Sequence, residues 1–150
     1  MSEPNVSVVL NHLIETCRDG EKGFLAAAEL VVDPAAKTLF VEIAAKRVEF
    51  AATLLPYAQR LGGATAPSGS AAASAHRHWM DIRSTLSGHD DSAIFGEVLR
   101  GDNVSLLAFT TAVEGVLPMG VRDLIQQQYD TLCKEHERLN ELDRKWKHRT

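Results

Sequence analysis

The 150 residues are enough for one domain that buries roughly two-thirds of its unfolded surface. An apolar share of 45% and a charged share of 24% are ordinary for a globular protein, and a net charge of −4 disfavours a nucleic-acid or anionic-membrane binder. No apolar run approaches the ~20 residues of a bilayer span. Met1-Ser2-Glu3-Pro4-Asn5 lacks the basic region and apolar core of a signal peptide, so the cytoplasm is the expected location, with reduced Cys17 and Cys133.

Helical periodicity dominates from the start of the chain. A first helix is expected from about Asn5 to Val32, ending before Asp33-Pro34, where the proline suits the first turn of a new helix capped by Asp33. The second helix then runs to about Leu61, with Pro56 inside it, and stops at Gly62-Gly63. Residues 63–72 are small and turn-rich and read as a loop, followed by a short helix from about Ala73 to Leu86. His89-Asp90-Asp91 offers a cap for a third long helix over about 91–116, and Pro118 opens a fourth over about 119–147.

Connection lengths set the expected topology. The first and second helices, and the third and fourth, are joined by very short turns, so each pair is an antiparallel hairpin. About 27 residues separate the hairpins. That is enough to travel back along a bundle of ~40 Å, the length of ~26 helical residues. The expectation is a single all-α domain over residues 1–150. Its form is an antiparallel four-helix bundle, with two hairpins joined by a long crossover that contains a short helix: the ferritin-like arrangement.

Stepping four and three residues along each helix exposes one polar interruption per core seam. The first helix gives Leu10, Ile14, Cys17, Glu21, Phe24, Ala28 and Val31, with Glu21 as the exception. The second gives Ala36, Phe40, Ile43, Arg47, Phe50, Leu54, Tyr57 and Leu61, broken by Arg47. The third gives Phe95, Leu99, Asp102, Leu106, Phe109, Val113 and Val116, broken by Asp102. The fourth gives Ile125, Tyr129, Leu132, His136, Leu139 and Trp146, broken by His136 and, nearer its end, Asp143. The expected site is a buried polar layer of Glu21, Arg47, Asp102 and His136, joined by Tyr129. Buried charges demand mutual pairing.

Leu13-Ile14-Glu15-Thr16-Cys17-Arg18-Asp19-Gly20-Glu21-Lys22-Gly23-Phe24, the stretch from Arg47 to Phe50, His76-Arg77-His78-Trp79-Met80, Arg100-Gly101-Asp102 and His136-Glu137-Arg138 together carry a resemblance. With these, the chain resembles a bacterial ferritin-like four-helix-bundle family of unknown function, which implies the fold and not an activity. Di-iron proteins of the wider group place a Glu on each of two helices and Glu-x-x-His on the other two. Glu21 fits the first position and Asp102 is a shorter version of another. Helix two, however, offers Glu49-Phe50-Ala51-Ala52 without the histidine, and helix four offers Cys133-Lys134-Glu135-His136 without the glutamate. Arg47 also stands in the seam where a metal cation would sit, and a guanidinium neutralises carboxylates by paired hydrogen bonds. A metal-free layer is therefore the favoured expectation. The alternative is iron or another divalent metal held by Glu21, Glu49, Asp102 and His136.

Residues two apart on a helix face different ways, so His76 and His78 do not form a metal pair. Trp79, with Met80 and Ile82, is read as packing the crossover onto the bundle. Neither a phosphate-binding glycine loop nor a nucleophile–base pair is present. The favoured function is a non-enzymatic bundle with a structural, interaction or stress-related role, without a catalytic residue or cofactor. One alternative is a ferritin-like metal protein handling iron or oxygen species. Another is a small-ligand or partner scaffold with an apolar pocket bordered by Trp79 or Trp146. No nucleic-acid or membrane partner is expected, and homodimerisation through an apolar helix face is compatible with the sequence.

Overall fold

The computed structural model describes residues 6–61, 84, 88 and 90–148. Four long helices account for nearly all of these: α1 (Val6–Leu30), α2 (Pro34–Arg60), α3 (Asp91–Glu114) and α4 (Met119–His148). Strands are absent among the described residues. The short helix expected over about 73–86 lies, apart from Ser84, outside them.

Local chemistry sets the helix ends. Asp33 is the N-cap of α2, its carboxylate accepting from the Ala36 N–H, and Pro34 needs no such partner because it has no N–H. Asp90 caps α3 by accepting from the Ala93 N–H. Pro56 lies within α2, which nevertheless continues to Arg60. α1 ends at Leu30, two residues before its expected end, because the next backbone groups are claimed from elsewhere. The N–H groups of Val32 and Asp33 each donate to the buried carboxylate of Asp91, at 2.9 Å. Likewise α3 ends at Glu114 and leaves Val116 exposed.

That Asp91 contact also fixes direction. It places the start of α3 beside the α1–α2 turn, so α3 runs antiparallel to α1 and parallel to α2. Neighbouring pairs are α1–α2, α1–α3, α2–α4 and α3–α4. Helices α2 and α3 therefore lie diagonally across the bundle, and the chain between them must return along its length, which is ferritin-like connectivity.

The core comes in two blocks. One, near the α1–α2 turn, is built on Phe24, Phe40, Ile43, Ile94, Phe95 and Leu139. Its aromatic rings meet tilted or edge-on, with centroids 5.9 Å apart for Phe24–Phe40 and 5.5 Å for Phe40–Phe95. The other, toward the opposite end, is built on Leu10, Leu13, Cys17, Leu54, Phe109, Ile125 and Leu132. Each fully buried large side chain of this kind contributes about 1.5–3 kcal/mol. Truncating Phe40, whose ring meets both Phe24 and Phe95, to alanine would open the block near the α1–α2 turn, at roughly 3–5 kcal/mol.

Candidate functional site: a buried ion network between two core blocks

Between the two blocks the core turns polar. Arg47 of α2 is the largest fully buried side chain among the described residues, 1% exposed. A guanidinium this deep cannot shed its charge, so it must find acceptors. Its Nη2 donates to Asp102 Oδ1 on α3 at 2.8 Å and, more weakly, to Glu135 Oε1 on α4 at 3.4 Å. The guanidinium carbon sits 5.5 Å from the ring centroid of Phe24 on α1, in range for a cation–π contact. The second oxygen of Asp102 lies 2.8 Å from His136 Nδ1. His136 is half-buried, so the chain of contacts runs from a solvent-touched imidazole through a buried carboxylate to a buried guanidinium.

Space for the guanidinium comes from α1. At this level α1 presents Gly20, and a Cβ there would stand 3.2 Å from Arg47 Nη1. The centre-facing register of α1 is thus Leu13, Cys17, Gly20, Phe24, Ala27, Val31, a regular alternation of four and three. Glu21 falls one residue off that line. It is half-buried and has no hydrogen bond or ion pair with Arg47, Asp102, Glu135 or His136.

The electrostatics around Arg47 are tight. Burial pushes the Glu135 carboxyl above its usual range, the Arg47 charge and hydrogen bond pull it back, and Asp102 pushes it up again. The Cys17 thiol is raised to about 12, chiefly by burial, with Arg47 opposing and Glu135 adding to the rise. Cys17 is therefore a protonated packing residue rather than a nucleophile.

Of the residues singled out from the sequence, Arg47, Asp102 and His136 come together, while Glu21 and Tyr129 do not join them. Tyr129 is half-buried and packs against the block at the end opposite the α1–α2 turn. Glu135 was missed because the step along the fourth helix chose Tyr129 and His136. The buried line instead runs Val121, Ile125, Gln128, Leu132, Glu135, Leu139. Both lines share Ile125, Leu132 and Leu139, so only the polar pair Gln128 and Glu135, one heptad apart, could have revealed the choice.

The alternative ligand set is not assembled. Glu49 points outward, 66% exposed, and pairs with Lys46 at 3.3 Å. Among the described residues no group of three or more His, Cys, Asp or Glu side chains converges as a metal would require. The carboxylates of Asp102 and Glu135 meet the Arg47 guanidinium instead, so these residues do not fit a di-iron centre. Trp146 packs against the core block near the α1–α2 turn and lines neither of two clefts that lie between α1 and α3. Trp79 and the His76–Met80 stretch lie outside the described residues.

Fold and layer together define a ferritin-like four-helix bundle in the arrangement of its helices. Residues 5–115 match the family model described as Domain of unknown function (DUF2383), and the chain belongs to that family. The match ends with α3, so the His136–Arg138 segment read as part of the resemblance lies beyond it. Among solved structures, the chain is similar to a two-domain protein from Anabaena variabilis ATCC 29413 containing DJ-1/ThiJ/PfpI-like and ferritin-like domains. The TM-score is 0.77 at 21% identity, over 93% of this chain and 39% of that one. This chain thus spans well under half the length of that neighbour. No curated protein matches the sequence. No helix among the described residues is long and apolar enough to cross a membrane.

Proposed function

We propose that this chain is a non-enzymatic, metal-independent member of the ferritin-like bundles, with a structural or interaction role, in which Arg47 supplies the positive charge that a metal supplies elsewhere. The observation that carries this reading is the buried Arg47 guanidinium held between Asp102 and Glu135. A cation of fixed charge bonded to two carboxylates leaves a second cation little attraction at the same place. Nothing in the layer is arranged for group transfer, since Cys17 is protonated at any physiological pH and His136 engages a carboxylate already paired with Arg47. The Anabaena protein carries its ferritin-like domain beside a second domain, which is consistent with a bundle that works next to a partner.

The test is metal content. Protein purified without an affinity tag is incubated with ferrous iron, freed of excess, and measured by elemental analysis. The expected result is far less than one iron per chain. Stoichiometric iron that disappears in His136→Ala would overturn the reading and make a ferritin-like oxidase the better account.

A further inference from the structure

Exposed apolar side chains are not spread evenly over the bundle. Val8 of α1, Val104 and Leu107 of α3, and Val116 just after α3 are 61–72% exposed, and all four line clefts between α1 and α3. The larger cleft, about 560 Å³, lies toward the α3–α4 turn, and its lining is apolar apart from His12 and Thr111. The smaller, about 390 Å³, runs beside the ion layer. The two share His12 and Val104, so they form one groove along the α1–α3 face. Gly23 and Gly101 deepen the smaller cleft: among the described residues nothing lies within 4 Å of where their Cβ atoms would stand. Leu25, Val41 and Val48 are less exposed, at 40–48%, and line neither cleft.

Topology brings one piece of chain past this groove. The connection over residues 62–89 leaves α2 at the end opposite the α1–α2 turn and rejoins the bundle at Asp90, beside that turn. Because α2 and α3 are diagonal, its path goes round either α1 or α4. From Arg122 to Lys147, every exposed residue of α4 is polar or charged. The route round α1 crosses the groove instead. Even at the rise of a helix, a connection of this length covers ~40 Å, enough to follow the groove from end to end. It also carries three large apolar residues close together, Trp79, Met80 and Ile82.

We propose that the occupant of the α1–α3 groove is this connection of the same chain, with Trp79, Met80 and Ile82 packed against Val8, Val104, Leu107 and Val116. Apolar surface on the two partners is matched, and neither is left to water. A tethered segment also forfeits none of the translational freedom that a second copy or a free ligand would lose. Charge does not choose the occupant. Asp19, Glu97, Arg100 and His12 line the smaller cleft, with Glu97 and Arg100 paired to each other.

The test uses the full chain with labelled Val and Leu methyl groups, at a concentration where sedimentation shows a monomer. The proposal expects nuclear Overhauser contacts from the Trp79 indole to the methyls of Val104 and Leu107. Val104→Lys and Leu107→Lys change exposed positions, and circular dichroism confirms that each is folded. Trp79 and Trp146 are the two tryptophans of the chain, so Trp146→Phe isolates the emission of Trp79. In that background each lysine variant should shift the emission to longer wavelength and make it easier to quench with acrylamide. Three results would overturn the proposal: no contact between Trp79 and α1 or α3 in the monomer, Trp79 emission unmoved in both folded variants, or a dimer that Leu107→Lys dissociates. The last would assign the groove to a second copy.

Discussion

Arg47 brings one permanent positive charge into a layer that holds two carboxylates. Asp102 has the shorter bond to it and a second partner in His136, so Glu135 is left with the weaker share. Its carboxyl is raised by burial first, with Arg47 and Lys46 of α2 pulling down and Asp102 of α3 pushing up. The sign of the consequence follows. A carboxyl that binds its proton more tightly folded than unfolded stabilises the fold fully below its unfolded pKa, and that contribution is lost as pH rises through the folded value. Replacing Glu135 with glutamine keeps shape and polarity while removing the titration. Thermal midpoints of the parent and Glu135→Gln, measured from pH 4 upward, should therefore diverge as pH rises, with the variant becoming relatively more stable. Parallel curves would contradict this account of Glu135.

Helix ends carry their own test. Asp91 stands one residue past the cap of α3, where its charge also suits the helix dipole, yet its carboxylate serves the other hairpin. It accepts the N–H groups of Val32 and Asp33 in the α1–α2 turn and so ties the first hairpin to the second at one end of the bundle. Asp91→Ala removes that shared acceptor at a part-buried site, which costs about 1–3 kcal/mol. Amide hydrogen exchange should speed up most at Val32 and Asp33. Unchanged protection there would show that the turn holds without Asp91.

Legibility also differed from helix to helix, for geometric reasons. The second helix could be read for most of its length, because Ala36, Phe40, Ile43, Arg47, Phe50 and Leu54 form one buried line, although Leu39, Ala44, Ala51 and Ala58 are buried beside it. Along α1 two parallel lines are apolar above and below the layer, since Ile14 and Ala28 are buried as well as Leu13 and Ala27. Only at the layer do they differ, as Glu21 against Gly20. A glycine gives no hydrophobic signal, although here it is the residue that makes room for the guanidinium. On α4 the same ambiguity hid Glu135 behind His136. Topology was easier to infer than the site, because chain lengths determine connections while a site depends on a rotation of one residue about each helix axis.

At the scale of the molecule, the ion network takes the place of continuous packing between two apolar blocks, and all four helices meet there through Gly20, Phe24, Arg47, Asp102, Glu135 and His136. Buried ion pairs are not intrinsically strong, but removing one partner leaves uncompensated charge behind. The most direct measurement is therefore thermal unfolding of the parent chain and Arg47→Ala, each with a chelator and then with excess ferrous or zinc ions. The account predicts that metal leaves the parent midpoint in place, because nothing specific is bound. It also predicts that Arg47→Ala lowers the midpoint by roughly 10 °C, as expected for about 3–5 kcal/mol in a chain of this size. A parent midpoint that climbs with metal, together with an Arg47→Ala chain that unfolds no earlier, would contradict a protein-borne cation and return the layer to the metal-binding members of its fold.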